Sequence, residues 1–160
     1  MGLFQQPAKC AIDVTGLEVV MGSRVLFIDD DPLIGKLVRD LLEEEGFQVT
    51  VATSGQEGLD LARSHPPEVF LLDIMMPGMD GFEVCEAIRR DHALRSIPVV
   101  MLTAMESQKL NEQAFAAGAE LCMTKPFSPK RLLNAVNIAL QNASLKRINS
   151  EKKKQKRKTA

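Results

Sequence analysis

The sequence predicts an α/β domain, a doubly wound (βα)5 parallel sheet, and three observations lead there. Five short apolar runs recur along the chain: RVLFI (24–28), FQVTV (47–51), EVFLL (68–72), IPVVML (97–102) and AELCM (119–123). Segments with helical apolar spacing lie between them. The third and fourth runs are apolar on both faces, as expected of central strands covered on both sides. Each right-handed crossover between parallel strands lays its helix on one face of the sheet or the other, so alternating strands and helices specify two helical layers.

The elements follow in order. Residues 1–22 form an N-terminal arm without clear periodicity, to which the sequence assigns no function. After the first run, Asp31 and Pro32 stand as N-cap and first helical residue. Leu33, Ile34, Leu37, Val38, Leu41 and Leu42 then form one apolar stripe, and Gly46 stops the helix. Ser54 and Glu57 have the spacing of a capping box for the second helix. The third run ends on Asp73 and breaks into a loop containing Pro77 and Gly78. Gly118 stops the fourth helix, and Ser128 with Pro129 opens the fifth. The expected strand order is 2-1-3-4-5, the flavodoxin-like arrangement. The domain should span 23–142, leaving 143–160 as a basic tail, either a helix extension or disordered.

The 160 residues suffice for one well-formed core, and a composition 45% hydrophobic and 26% charged reads as globular. No apolar stretch is long enough to span a bilayer, so no membrane insertion is expected. The start, MGLFQQPAKC, lacks the basic and apolar regions of a signal peptide. Cys10, Cys85 and Cys122 are odd in number and irregularly spaced, which suggests neither a disulfide framework nor a zinc site; a cytoplasmic location is the simplest expectation. The net charge of -1 conceals an asymmetry: residues 146–160 carry eight Lys and Arg against one Glu, and the rest is acidic. Such a run is ordinarily a solvated tail; its functional reading is salt-sensitive contact with nucleic acid or an acidic partner.

In open α/β sheets chemistry gathers at the carboxyl ends of the strands. Those ends carry Asp29, Asp30 and Asp31, then Asp73, then Thr103, then Lys125 and Pro126. Taken singly, Asp31 is a helix cap, Thr103 a strand-end hydroxyl, Lys125 a solvated cation and Asp73 a turn initiator. Taken together, the carboxylates need a shared cation, since two like charges about 4 Å apart cost roughly 4 kcal/mol at an effective dielectric near 20. Lys125 and a bound divalent ion are the available compensators. Ligands that are all oxygen suit Mg²⁺, and the absence of His and Cys from the set disfavours zinc.

The fragments VLFIDDDP, LLDIMMPGMDG, VVMLTA and TKPF, in this order and spacing, resemble the receiver domain of two-component response regulators, in particular the single-domain regulators of chemotaxis. The resemblance covers roughly residues 24–142. It implies that Asp73 is the phosphoacceptor, charged by a histidine kinase or a histidine phosphotransfer protein. It further implies that Asp29, Asp30, Asp73 and the backbone carbonyl of Met75 hold Mg²⁺, and that Lys125 and Thr103 bind phosphoryl oxygens. The Lys125–Pro126 peptide is expected cis, and a downstream protein is expected on the face of helix four, strand five and helix five. The chain would be a switch rather than a turnover enzyme. Similar domains carry an aromatic ring where this chain has Cys122, so the usual coupling of that ring to the threonine is absent. Met75 and Met105 stand where side chains influence the access of water to the acyl phosphate, which predicts slow self-dephosphorylation.

Two rival readings accompany this one. A haloacid-dehalogenase-like phosphatase also uses an aspartate, Mg²⁺, a Thr or Ser and a Lys, but Leu33 departs from its DxDx[TV] motif. A nucleic-acid-binding adaptor would act through the basic tail.

Overall fold

Five strands pair in parallel in the computed structural model, which describes residues 10–12, 18–20 and 22–159. They are β1 (Arg24–Ile28), β2 (Gln48–Ala52), β3 (Val69–Asp73), β4 (Val99–Thr103) and β5 (Leu121–Thr124). Their order is β2-β1-β3-β4-β5, as the sequence predicts. The helices are α1 (Pro32–Glu44), α2 (Gly55–Ser64), α3 (Gly81–Arg90), α4 (Gln108–Ala117) and α5 (Pro129–Lys158). Phe47 falls outside β2 because its N–H closes α1 on the carbonyl of Leu42.

Alternation along the strands divides the core between two layers. On one face Leu26, Ile28, Phe70 and Leu72 pack with Leu59 of α2 and with Val84 and Ile88 of α3. On the other, Val25, Phe27, Leu71 and Leu102 pack with Val38 and Leu42 of α1 and with Leu132 and Val136 of α5. Each such large side chain, taken fully from water, contributes roughly 1.5–3 kcal/mol.

Helix caps fix where each connection starts. Asp31 accepts from the N–H of Leu33, and Ser128 from that of Arg131. Ser54 accepts from Glu57, but the Glu57 carboxylate binds the N–H and hydroxyl of Thr53 instead of completing the expected box. A full reciprocal box occurs at Asp80 and Glu83, opening α3. Gly118 caps α4 at a φ of 108°, a left-handed conformation that only glycine adopts cheaply.

Two features lie outside the (βα)5 frame. Cys10–Ile12 and Glu18–Val20 pair antiparallel, with the second strand near α5; the other residues of the expected arm lie outside the described set, apart from Gly22. Helix α5 buries its last side chain at Leu140, leaves Gln141 and Ala143 half-buried, and runs exposed from Ser144 to Lys158. No helix among the described residues is long and apolar enough to cross a membrane.

Candidate functional site

Parallel pairing brings the predicted strand ends into one crevice. Asp29 follows β1, Asp73 closes β3, Thr103 closes β4 and Lys125 follows β5. The register sets Ile28 beside Leu72 and Asp73 beside Leu102, and the N–H of Lys125 donates to the carbonyl of Thr103 at 2.7 Å. Residues far apart in sequence are therefore neighbours through the sheet.

The Lys125 ammonium donates to Asp29 Oδ2 at 2.6 Å and to Asp73 Oδ1 at 3.2 Å. Asp29 and Asp73 are almost fully buried, whereas Asp30 is exposed. Asp29 Oδ1 also accepts from the N–H of Asp31 at 2.9 Å. Asp31 itself is occupied as the α1 cap. The peptide bond between Lys125 and Pro126 is cis, as expected.

Burial, reinforced by the charge of Asp29, raises the pKa of Asp73 above its ordinary value, although Lys125 pulls the other way. Burial works against the charge of Lys125 as well. The hydrogen bond and charge of Asp29, joined by Asp73, outweigh it and raise the lysine pKa. The crevice thus holds more negative charge than one ammonium neutralises.

One carboxylate oxygen from each of Asp29, Asp30 and Asp73 lies within 4.8 Å of the others. Two of these groups are buried and one faces solvent, so an ion would have both a fixed seat and an entry path. This donor set of hard oxygens fits Mg²⁺. Met75, whose carbonyl is the fourth expected ligand, stands in the loop after β3 with its side chain 57% exposed.

Thr103 is buried, and its hydroxyl donates to the carbonyl of Met105 at 3.2 Å and accepts from the N–H of the same residue. It is adjacent to the carboxylates through the sheet yet bonded to the loop leading to α4. Cys122 lies half-buried on β5 beside Met101, and burial raises its thiol pKa.

The sequence reasoning missed Gly81. A Cβ there would lie 2.5 Å from the carbonyl oxygen of Asp73 and 2.7 Å from Cα of Ile74. Its N–H also donates to the carbonyl of Ile74 at 2.9 Å. The start of α3 is therefore pressed against the backbone that carries the Asp73 carboxylate. The local pattern shows only a glycine after Asp80, with no sign of the backbone it meets.

Comparison with known proteins gives one answer. The family model described as the response regulator receiver domain matches residues 25–137. The polar-differentiation response regulator DivK of Brucella ovis is 37% identical over 123 residues, which cover 77% of this chain and all of that protein. The DNA-binding dual master transcriptional regulator RpaA of Synechocystis is 42% identical over 118 residues, 74% of this chain; the match spans about half of that relative, 49%. Among solved structures, the chemotaxis protein CheY4 of Vibrio cholerae superposes with a TM-score of 0.72 at 33% identity, covering 74% of this chain and 99% of that one. NtrX of Brucella abortus gives 0.76 at 30% identity, covering 81% of this chain and 30% of its own. The chain belongs to the response regulator receiver domains of two-component systems, a family of phosphorylation-dependent signalling switches.

Proposed function

We propose that this chain works in a phosphorelay as the acceptor, taking a phosphoryl group on Asp73 from a histidine kinase or a histidine phosphotransfer protein. The observation that carries the reading is the Lys125 ammonium bonded to both Asp29 and Asp73 at the strand ends. In the transfer, an oxygen of Asp73 forms the new bond to phosphorus as the P–N bond of the donor phosphohistidine breaks, its electron pair staying on the imidazole. Mg²⁺, held by Asp29, Asp30, Asp73 and the Met75 carbonyl, would neutralise phosphoryl oxygens. Lys125 would then leave Asp73 for a phosphoryl oxygen while keeping its bond to Asp29.

Thr103 supplies the readout. Its hydroxyl exchanges the Met105 carbonyl for a phosphoryl oxygen, and the loop 104–107 before α4 moves with it. A downstream protein would sense that change on the face of α4, β5 and α5. Cys122 brings no ring to this motion, so the loop itself is the transmitting part. On the input side, Leu33 and Leu37 of α1 are 78% and 60% exposed and offer apolar contacts to a docking donor.

The phosphatase rival fares less well, because the Asp31 it would use as a proton carrier is committed to capping α1. The test is incubation with acetyl phosphate and Mg²⁺, followed by intact mass spectrometry. One added phosphoryl group on the natural chain and none on Asp73→Asn is the expected result. Continuous release of inorganic phosphate over many turnovers, with no phosphorylated protein accumulating, would overturn it.

A further inference from the structure

We propose that the exposed end of α5 and the floor of the domain together form a docking groove for duplex DNA. The groove has a volume of about 400 Å³ and opens where α5 runs past the domain. It lies at the amino ends of β4 and β5, opposite the phosphorylation crevice. Arg89, Arg95 and Glu120 line its floor, and Lys146, Arg147, Glu151 and Lys154 of α5 line its wall, so five cations face two carboxylates.

The floor is rigid. The Arg89 guanidinium donates to the carbonyls of Gly118, Arg95 and Ile97, tying two loops together. Lys146 pairs with Glu120 and fixes the emerging helix to that floor. Arg95, Arg147 and Lys154 are exposed cations with no ion-pair partner among the described residues. They point to a polyanion.

Helix geometry selects the polyanion. Residues 141–158 extend α5 by roughly 27 Å at 1.5 Å per residue. At 100° per residue, the cations from Lys146 to Lys158 occupy about two-thirds of the circumference rather than one stripe. A helix docked on an acidic protein needs charge on one face only, whereas a helix between two phosphate strands needs it on both flanks. Leu145 and Ile148 are exposed, but from 149 to 158 there is no apolar residue, so the apolar face is too short to bury in a membrane. An α-helix about 10–12 Å across fits the major groove of B-DNA, about 12 Å wide, and not the narrow major groove of duplex RNA. The acidic body of the domain is no obstacle, since charges more than about 8 Å away are largely screened at physiological salt.

The experiment is fluorescence anisotropy of the full chain with a labelled DNA duplex of mixed sequence, over a range of salt concentrations. Binding should weaken linearly on a log–log plot, with a slope of about -0.9 per phosphate neutralised. Arg95→Glu, in the floor, should weaken binding about tenfold at low salt, and Arg147→Glu with Lys154→Glu at least as much. Arg95 is exposed, so circular dichroism should show an unchanged fold. An unaltered affinity for Arg95→Glu would overturn the groove in favour of a non-specific tail. Equal binding of duplex RNA, equal competition by polyglutamate, or salt-sensitive self-association without DNA binding would each overturn it too.

Discussion

The Lys125 ammonium stands nearer to Asp29, at 2.6 Å, than to Asp73, at 3.2 Å. Asp29 is held from two sides, by Lys125 and by the N–H of Asp31, while among the described residues the Asp73 carboxylate is bonded to Lys125 alone. The lysine is thus anchored on Asp29 and leans less closely on Asp73, the proposed acceptor. Replacing it as Lys125→Met leaves Asp29 and Asp73 buried without their cation. That change should cost about 2 kcal/mol in the presence of chelator, below the loss seen for deeply buried pairs because the lysine retains some solvent access. Millimolar Mg²⁺ should restore most of it by mass action. Urea unfolding midpoints with and without the ion measure both effects; an unchanged midpoint in chelator would contradict this account.

Asp73 predicts a pH dependence of opposite sign to that of a salt-bridged carboxylate. Burial and Asp29 raise its folded pKa above the ordinary 3.8. Between those two values the folded chain binds more protons than the unfolded chain, so stability is lost as the pH rises through the window. Above it the folded state carries a constant penalty. Asp73→Asn removes the ionisation, so this variant should be more stable than the natural chain at pH 7 in chelator, with an advantage that shrinks as the pH falls through this window and is gone below 3.8. Mg²⁺ should reverse the order at neutral pH by making the charge welcome. Denaturant titrations of the two proteins at several pH values test this, and a less stable Asp73→Asn variant in chelator at pH 7 would refute it.

Gly81 and Gly78 are both required, for different reasons. Gly78 sits in the loop after Asp73 at a φ of 76°, with nothing near its missing Cβ. Gly78→Ala should cost only backbone strain, about 1–2 kcal/mol. At Gly81 an added methyl meets the backbone of Asp73 and Ile74, which cannot rotate away as a side chain does. Gly81→Ala should cost at least as much, about 2–3 kcal/mol, and should also slow phosphorylation by shifting the acceptor. Paired stability and phosphorylation-rate measurements separate the two glycines. Identical rates for Gly81→Ala and the natural chain would remove its positioning role.

The sequence makes the strand ends legible because each is marked twice, by the close of an apolar run and by a residue that does not belong in a core. Asp29, Asp73 and Thr103 are read in that way, and the parallel order then brings them together. Helix starts at Asp31 and Ser128 are equally legible, since capping is a local interaction. What escapes is set by distance through space. Nothing in the local pattern says that Gly81 meets Asp73, that Glu57 turns to Thr53, or that the Thr103 hydroxyl is bonded to Met105. The groove beneath α5 escapes for a related reason: its walls come from three segments, and a basic run reads alike whether coiled or helical.

Two exposed apolar side chains stand in the loops that follow Asp73 and Thr103. Met75 and Met105 follow Asp73 and Thr103 by two residues each, and both are more than half exposed at 57% and 58%. The Thr103 hydroxyl is bonded to the backbone of Met105, so that side chain moves with the residue that would grip the phosphoryl group. Phosphorylation would draw Met105 inward toward Met75, and two thioether chains over an acyl phosphate leave little room for an attacking water. Met75→Asn combined with Met105→Glu replaces that cover with groups that hydrogen-bond water. The double variant should lose its phosphoryl group about tenfold faster, equivalent to about 1.4 kcal/mol off the barrier, with the single variants between. The decay of phosphorylated protein, followed by mass spectrometry after the donor is removed, gives the rates. Equal lifetimes for the natural chain and the double variant would mean that the water reaches phosphorus along a path these methionines do not cover.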